Sequence, residues 1–372
     1  MTYSGSNYRG SASVPGGGSA RGGARVAPPA PTGGGPTRRG LIGSAVGLVA
    51  SVAAAGGGAA VWATANGAND DLDRAFDLGG LDDRPEKTTG AMNVVVLGSD
   101  AREEGDDARS DTCIIMHVNE AGDEAYGISI PRDTWVYIPE DPDAEYADYT
   151  GAEDKFNSAY GWGGASLTVQ TIEELTGVRM DHIVEIDFAG LVQVVDALGG
   201  VQMNVEHADA PDYYDEGGVE SIHPPYRYFE AGMNTLNGEE ALDYVRQRYQ
   251  YAEGDFARMR HQQELIKAIM DAAVTAEVLT SQSKLTSFID SVSDAIKVDT
   301  EFNVVETGIE FMHLRSDDIV FMTMPTVGGG PSGVAPDEEH APGLWEALKD
   351  DTVGQWVAEN PEAAGQGEEE EE

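Results

Sequence analysis

The sequence predicts a single α/β domain in which helices cover both faces of a sheet. Apolar, β-branched runs typical of buried strands alternate with stretches of helical periodicity over about 235 residues. An uncharged stretch at 41–65 precedes them, after a tail of Gly, Ser, Pro, Ala and Arg. The predicted organisation is a disordered cytoplasmic tail over 1–39, a transmembrane or export segment over 40–65, an acidic spacer over 66–91, the folded domain over 92–325 and an acidic, disordered tail over 326–372. The alternative for this last stretch is one docked helix that buries Leu344, Trp345, Leu348 and Trp356.

The elements of the domain follow from periodicity and from turn residues. Apolar runs bounded by polar turns predict strands at 92–97, 112–118, 125–130, 182–188, 201–205 and 318–324. Amphipathic patterns predict helices at 165–175, 189–197, 238–245, 256–274, 281–296 and 303–314. Gly199-Gly200 predicts a sharp end to the second of these helices.

The segment at 41–65 is long enough to cross a bilayer as a helix. Five arginines precede it, and no charged residue follows it before Asp70. The positive-inside bias therefore keeps the N-terminus in the cytoplasm and places the acidic domain outside the cell membrane. Ala63-Thr64-Ala65 also fits a signal-cleavage site, so secretion after cleavage is the alternative to a single-pass anchor.

Acidic residues dominate the chain beyond the uncharged segment. The 372 residues include 66 Asp and Glu against 23 Lys and Arg, a formal charge of −43. This excess argues against nucleic acid as the main partner, because phosphate backbones are bound by basic surfaces. A single cysteine, Cys113, excludes an intramolecular disulfide framework and a Cys-rich zinc site.

Arginine is scarce and clustered in this acidic chain. Of the 12 arginines beyond Asp70, seven lie in the windows 102–132 and 246–260. The first window holds three short segments at predicted strand ends, and open α/β sheets bind ligands there. We therefore expect two Asp and three Arg side chains to converge there, namely Asp100, Asp111, Arg102, Arg109 and Arg132.

Carboxylates and guanidinium groups at one sheet edge suit a hard cation that bridges to phosphate oxygens gripped by arginine. The chain has no His or Cys cluster that competes for a metal, which favours Mg²⁺ over zinc. Ordinary loop salt bridges are the better explanation of any one such pair. Three such segments at successive strand ends favour a binding site over separate loop salt bridges.

The second window predicts an extended segment followed by a helix. Arg246 and Arg248 share a face only if the chain is extended there, whereas Arg258 and Gln262 share a helical face. Asp255 is interpreted as the N-cap of that helix rather than as a catalytic residue. The alternative for these arginines is a solvated face that balances nearby acids.

Seven motifs in this order resemble the LytR-CpsA-Psr family, and they span about residues 92–324. They are G-S-D-A-R, R-S-D-T, I-P-R-D-T, K-F-N-S-A-Y-G-W-G-G, D-F-A-G-L-V-Q-V-V-D-A-L-G-G-V, V-R-Q-R and G-D-F-A-R-M-R-H-Q-Q. The resemblance implies a three-layer α/β/α sandwich with a long apolar pocket for a prenyl chain. Apolar stripes at 167–175, 188–198 and 265–274 are the candidates to line that pocket, although such stripes are more often simply core.

The resemblance also implies a function and a set of site residues. Family members act outside the cell membrane and move a glycopolymer from a polyprenyl-(pyro)phosphate carrier onto a cell-wall sugar hydroxyl. Carried over by position, Asp100 and Asp111 hold Mg²⁺, while Arg132, Asp133 and Arg109 are catalytic, with Asp133 either a base or a scaffold. The substrate-binding positions facing the pyrophosphate are Arg102, Lys155, Arg246, Arg248, Arg258 and Gln262.

The sequence thus predicts a Mg²⁺-dependent phosphotransferase of lipid-linked glycopolymers, with the membrane, a polyprenyl-pyrophosphate-linked glycan and a wall glycan as partners. One alternative is a non-catalytic regulator of wall assembly that binds polyprenyl phosphates. The paired carboxylates Asp100 and Asp111 argue against it, since a binder has less need of metal ligands. The other alternative is a pyrophosphate hydrolase, which differs only in its acceptor.

Overall fold

The computed structural model describes residues 69, 72–81, 83–99, 110–273, 282–304, 306, 307, 311 and 314–366. The strands are β1 (Asp73–Phe76), β2 (Met92–Ser99), β3 (Ser110–Val118), β4 (Ala125–Ser129), β5 (Trp135–Ile138), β6 (Ala152–Lys155), β7 (His182–Asp187), β8 (Val201–Val205), β9 (Gly218–Glu220), β10 (Tyr228–Glu230), β11 (Gly232–Leu236), β12 (Ile296–Asp299), β13 (Ile319–Thr323), β14 (Thr326–Val327) and β15 (Ala335–Pro336). The helices are α1 (Phe156–Thr176), α2 (Phe188–Leu198), α3 (Gly238–Tyr244), α4 (Asp255–Ala273), α5 (Gln282–Ala295), α6 (Ala341–Lys349) and α7 (Val353–Glu359).

Seven strands form one mixed sheet in the order β1-β12-β7-β2-β3-β4-β13. Strand β2 pairs in parallel with β7 and antiparallel with β3, and β3 pairs antiparallel with β4, which is parallel to β13. Strands β2, β4, β7 and β13 therefore run in the same direction and end at the same edge. In the sequence, the charged segments of the first arginine window adjoin strand ends at this edge.

Helices cover both faces of the sheet, which confirms the predicted three-layer α/β/α architecture. Successive side chains of a strand point to opposite faces, so Val94 and Val96 join one core and Val95 and Leu97 the other. The first core includes residues of α2, α4 and α5, and the second includes residues of α1, α6 and α7. A sheet buried on both faces explains why its strands are almost continuously apolar.

The predicted strands and helices of the sheet layer are confirmed, with small changes of boundary. The prediction of a spacer over 66–91 is wrong for β1, which pairs with β12 at the edge of the sheet. Helix α1 begins nine residues earlier than predicted, because Gly163 and Gly164 have non-helical dihedral angles and interrupt the periodicity of a longer helix. The end of the predicted helix at 281–296 is instead the start of strand β12. Gly199 ends α2 in the left-handed conformation that the Gly-Gly pair predicts.

The C-terminal segment differs from its prediction as a disordered tail. Strands β14 and β15 form a hairpin, and helices α6 and α7 follow them. Leu344, Trp345 and Trp356 are buried in the second core, against the face of the sheet that α1 also covers. Although the composition of this stretch is acidic and rich in Gly and Pro, its short apolar stripe packs in the second core and the stretch forms two helices.

Two predicted segments lie outside the described residues, namely the tail at 1–39 and the segment at 40–65. Half of the predicted helix at 303–314 lies outside them as well. Within the part of the chain that the structure describes, none of the helices combines the length and the apolarity needed to span a membrane.

We predict that Leu344→Ala lowers the free energy of unfolding by about 2–4 kcal/mol, because it leaves a cavity in the second core. Leu344 is fully buried, whereas Glu346 on the same helix is exposed. Glu346→Ala is therefore the matched control, with an expected change of about 0.5 kcal/mol or less. Chemical denaturation measures both values, and equal values for the two variants would contradict a docked C-terminal segment.

Candidate functional site

The first part of the site is a tight turn that follows β4. The backbone N–H and the hydroxyl of Thr134, which is fully buried, both donate to the carbonyl of Pro131, at 3.0 and 2.7 Å. The first amides of α1 bind this turn, since Phe156 N donates to Thr134 O at 2.8 Å and Asn157 N to Arg132 O at 3.0 Å. The turn therefore holds Arg132 at the carboxyl edge of the sheet.

The C-terminal segment also supports this turn. The backbone N–H of Trp135 donates to Val334 O at 3.0 Å, and Thr134 forms a parallel bridge with the same residue. Residues from the far end of the chain thus fix the start of β5, next to Arg132 and Asp133.

Asp133 and Lys155 form an ion pair beside Arg132. Lys155 Nζ donates to Asp133 Oδ1 at 2.7 Å, and Arg132 Nε lies 3.7 Å from Asp133 Oδ2. Partial burial raises the pKa of Asp133, but the hydrogen bond from Lys155 and the charges of Arg132, Lys155 and Arg248 outweigh it and leave that pKa below its usual value. Asp133 is therefore a carboxylate at neutral pH.

The second part of the site is the segment that joins α3 to α4. Gln247 is fully buried, and its side-chain amide donates to Ser221 Oγ and to Asp243 Oδ1, each at 2.9 Å. This anchor fixes the backbone between Arg246 and Arg248. Arg246 and Arg248 thus have fixed backbone positions, although they do not lie in a β-strand.

Asp255 is the residue at which the two arginine windows meet. Its Oδ1 lies 2.8 Å from Arg258 Nη2, 3.6 Å from Arg248 Nε and 3.7 Å from Arg132 Nε. The expectation that Asp255 acts as the helix N-cap is wrong, because Asp255 is the first residue of α4 and its carboxylate carries these ion pairs. Its side chain is only 15% exposed, so water weakens the attraction little.

The charges of this cluster leave an excess of positive charge. Four cationic groups, Arg132, Lys155, Arg248 and Arg258, face two carboxylates, Asp133 and Asp255. In a chain with a formal charge of −43, such a local excess marks a site for an anion. Guanidinium groups grip phosphate oxygens in pairs, which makes a phosphate-containing ligand the best match.

A deep apolar cavity opens beside the arginines. It lies between the sheet and helices α2, α4 and α5 and contains about 1130 Å³ of unfilled space, including its open mouth. Its walls are almost wholly aliphatic and aromatic, and its polar lining residues are Thr112, Arg246 and Gln262. The predicted stripes at 188–198 and 265–274 contribute to these walls, whereas residues of the stripe at 167–175 pack in the core on the opposite face.

Arg246 and Gln262 connect the cavity to the charged cluster. The guanidinium carbon of Arg246 lies 5.7 Å from the centre of the Phe188 ring, which also lines the cavity. Gln262 lies one helical turn after Arg258, on the same face of α4. An amphiphilic ligand with an anionic head and a hydrocarbon tail therefore fits across this junction.

Asp100, Arg102 and Arg109 lie outside the described residues, and so does the side chain of Asp111. The backbone of Asp111 is described. It is the extra residue of a β-bulge, since Ser99 pairs with Ser110 and Gly98 with Thr112. Bulges often change the direction of side chains next to active sites. This bulge lies at the end of β2, which Asp100 follows in the sequence.

Within the described ranges, no three His, Cys, Asp or Glu side chains gather closely enough to hold a metal ion. Arg260, which lies in the second window, points elsewhere and pairs with Glu206 at 2.8 Å and with Glu253 at 2.5 Å. Arg260 is thus an arginine that balances nearby acids at the surface. Arg248 and Arg258 instead contact Asp255 in the charged cluster.

Comparisons with known proteins are consistent with this geometry. The model of the LytR_cpsA_psr family matches residues 61–350. The polyisoprenyl-teichoic acid–peptidoglycan teichoic acid transferase TagU of Enterococcus faecalis is 34% identical over 214 residues, which cover 57% of this chain and 62% of that protein. The cell wall biosynthesis protein LcpA of Corynebacterium glutamicum is 27% identical over 271 residues, covering 63% of this chain and 50% of that protein.

The solved structures support the fold. The crystal structure of B. subtilis TagV superposes with a TM-score of 0.56 at 24% identity, over 71% of this chain and 98% of that chain. This chain thus spans between one half and two thirds of the two curated relatives and nearly the whole of the TagV structure.

We predict that Asp255→Asn lowers the free energy of unfolding by about 1–3 kcal/mol, because three guanidinium groups then lose their common counter-charge. We also expect inorganic pyrophosphate to raise the melting temperature of this variant more than that of the wild type, since the site becomes more positive. Thermal unfolding with and without pyrophosphate measures both effects. The exposed Asp212 provides the control, Asp212→Asn, and equal behaviour of the two variants would contradict the role of Asp255.

We predict that Lys155→Met raises the pKa of Asp133 towards its ordinary value, because the variant removes a hydrogen bond and a charge that stabilise the carboxylate. The protonated form of Asp133 then persists to a higher pH. Carboxyl-detected NMR titration measures the shift. Lys87→Met is the matched control, since Lys87 is 42% exposed against 43% for Lys155 and pairs with a different carboxylate, Asp181. An unchanged titration of Asp133 would contradict the coupling.

Proposed function

This chain belongs to the LytR_cpsA_psr family, and we propose that it is a transferase that moves a glycopolymer from a polyprenyl-pyrophosphate carrier onto a sugar hydroxyl of peptidoglycan. The observation that carries the proposal is the apolar cavity whose mouth, at Arg246 and Gln262, adjoins the arginine cluster. A prenyl chain fills such a cavity and leaves its pyrophosphate among the arginines.

The proposed chemistry places few covalent demands on the protein. Phosphoryl transfer is accelerated mainly by positioning and by neutralisation of charge on the transferring and leaving phosphates. Arg132, Arg248 and Arg258 supply this charge from fixed positions, because Asp255 and the turn before β5 hold them before substrate binds. Mg²⁺, held by Asp100 and Asp111, would neutralise further charge on the pyrophosphate oxygens.

Asp133 has a positioning role in this proposal. A general base works best when its pKa lies near the working pH, whereas the pKa of Asp133 is below its usual value. The same contacts that keep Asp133 ionised orient Lys155 and Arg132 towards the phosphate site. We therefore assign Asp133 to the scaffold and not to proton transfer.

We further propose that residues 40–65 anchor the chain in the cell membrane and that the catalytic domain lies outside the cell. The charge distribution supports this, since five arginines precede the uncharged segment and every carboxylate follows it. An outward-facing site at a membrane anchor has direct access to a lipid carrier and to the wall.

We predict that Arg132→Ala lowers kcat/KM for glycopolymer transfer by about a hundredfold or more, because it removes a charge aimed at the transferring phosphate. The assay combines the protein, Mg²⁺, a prenyl-pyrophosphate-linked glycan and a peptidoglycan acceptor. Arg179→Ala is the control, since Arg179 precedes β7 at the opposite edge of the sheet, and we expect its activity to match the wild type.

Product analysis decides between the proposal and its alternatives. A phosphodiester between glycan and acceptor supports transfer. Release of free phosphorylated glycan at the same rate with and without acceptor would show a hydrolase. Retention of the lipid without turnover on any acceptor would show a binding protein. Either of the last two outcomes would overturn the proposal.

A further inference from the structure

Two exposed tyrosines on the loop between β5 and β6 cluster with a partly buried tryptophan on the first turns of α1. Tyr149 stacks on Trp162, with ring centres 5.9 Å apart and an interplanar angle of 29°, and Tyr146 lies 6.5 Å from Tyr149. Tyr149 is 60% exposed and Tyr146 42% exposed. We call Tyr146, Tyr149 and Trp162 the aromatic platform, in which the two tyrosines are exposed and the partly buried Trp162 supports Tyr149.

The loop is built to hold this arrangement. Tyr146 N donates to Trp162 O, and Tyr149 N to Tyr146 O, both at 3.0 Å. The Thr150 hydroxyl donates to Ala147 O at 2.8 Å and closes the turn that carries Tyr149. Gly163 permits the close approach of loop and helix, because a Cβ at this position would lie 3.2 Å from the Cβ of Ala144. The exposed rings thus sit on a fixed support.

Solvent-exposed aromatic rings on a fixed support indicate a ligand with flat apolar faces. Pyranose rings have such faces, formed by their axial C–H groups, while their hydroxyls need hydrogen-bond acceptors at the rim. Acceptors are abundant here, since residues 139–151 include five carboxylates and no Lys or Arg. The chemistry of the surface therefore matches a neutral sugar chain.

We propose that the aromatic platform binds the sugar backbone of the acceptor glycan strand, which is an uncharged chain of N-acetylated sugars. The inference rests on the proposed transferase function and identifies where its second substrate binds. It concerns residues remote from the arginine cluster, so it can be tested by binding alone.

The position of the platform supports the acceptor rather than the donor. A continuous series of contacts leads from the cavity mouth through Arg258, Asp255 and Arg132 to Asp133 and Lys155. Lys155 precedes α1, and Trp162 lies seven residues further along, about 10 Å by helical rise. The cavity and the platform thus lie on opposite sides of the phosphate site, one on each side of the sheet.

This arrangement is the one that in-line transfer requires. The attacking and leaving oxygens lie roughly opposite each other on the transferring phosphorus. Because the leaving prenyl phosphate points into the cavity, the attacking hydroxyl must arrive from the side of α1. A sugar chain seated on the platform presents its hydroxyls from that side.

Charge also separates the two glycans. The pyrophosphate of the proposed donor is anionic, and the five carboxylates of the loop repel it. A neutral strand meets no such repulsion. The loop thus discriminates between the two substrates as well as binding one of them.

The test measures binding of a neutral tetramer of N-acetylglucosamine to the full chain by NMR saturation transfer and calorimetry. We expect Tyr149→Ala and Trp162→Phe to weaken binding about five- to tenfold. Tyr214→Ala is the matched control, since Tyr214 is 58% exposed in the loop between β8 and β9, and we expect it to bind as the wild type does.

Arg132→Ala should also bind the tetramer normally, although it loses transfer. In the transfer assay, Tyr149→Ala should raise KM for the acceptor and leave KM for the lipid-linked donor unchanged.

Several outcomes would overturn the inference. One is the absence of tetramer binding by the wild type, and another is normal binding by Tyr149→Ala. Preferential binding of poly(glycerol phosphate) at these rings would assign the platform to the donor. Loss of binding to phosphatidylglycerol vesicles in Tyr149→Ala, with tetramer binding intact, would make it a membrane contact. A different outcome would separate the two proposals. If the protein binds the tetramer through Tyr149 but has no transfer activity, the platform is upheld and the proposed function is refuted.

Discussion

Arg132 lies more than a hundred residues before Arg248 and Arg258 in the chain, and the three side chains meet at a single carboxylate oxygen, Asp255 Oδ1. Three guanidinium groups this close would repel one another and splay apart in water. The carboxylate holds them together because it is largely shielded from solvent, where charges interact strongly. The tight turn after β4, the buried Gln247 and the start of α4 all act by bringing these four side chains within reach. The site therefore exists as a formed cluster before any ligand arrives.

A site that carries its own counter-charge differs from a simple basic patch. In the proposed function, an incoming diphosphate would not meet bare arginines, because it would compete with Asp255 for groups already aligned. Binding is then an exchange of one anion for another, and the arginines lose little conformational freedom on binding. This also reconciles the site with the strongly acidic chain around it. A small excess of positive charge is enough where the geometry is fixed and one wall of the site is an apolar cavity.

Much of this architecture can be predicted from the sequence, for identifiable reasons. Buried strands such as β2 and β7 are continuous apolar runs, and Gly199 marks the end of α2, so local pattern alone is sufficient there. The arginine windows stand out because arginine is rare in this chain. The role of Asp255 could not be predicted, since local pattern fits an N-cap and only long-range packing brings Arg132 and Arg248 to it. In the C-terminal stretch the apolar residues indicate one docked helix as the alternative to a tail, and local pattern does not separate α6 from α7. The predicted α1 was shortened by the glycines at its kink.

The bond from Trp135 N to Val334 O joins the turn that positions Arg132 to a residue made about two hundred positions later. Helices α6 and α7, further still along the chain, close the core behind the same turn. A growing chain that has completed the central sheet therefore still lacks the support of its phosphate site. The order of synthesis thus delays the assembly of the site until the last segment of the domain is in place. An incomplete or C-terminally clipped chain would keep most of its sheet and yet lose its ability to handle substrate.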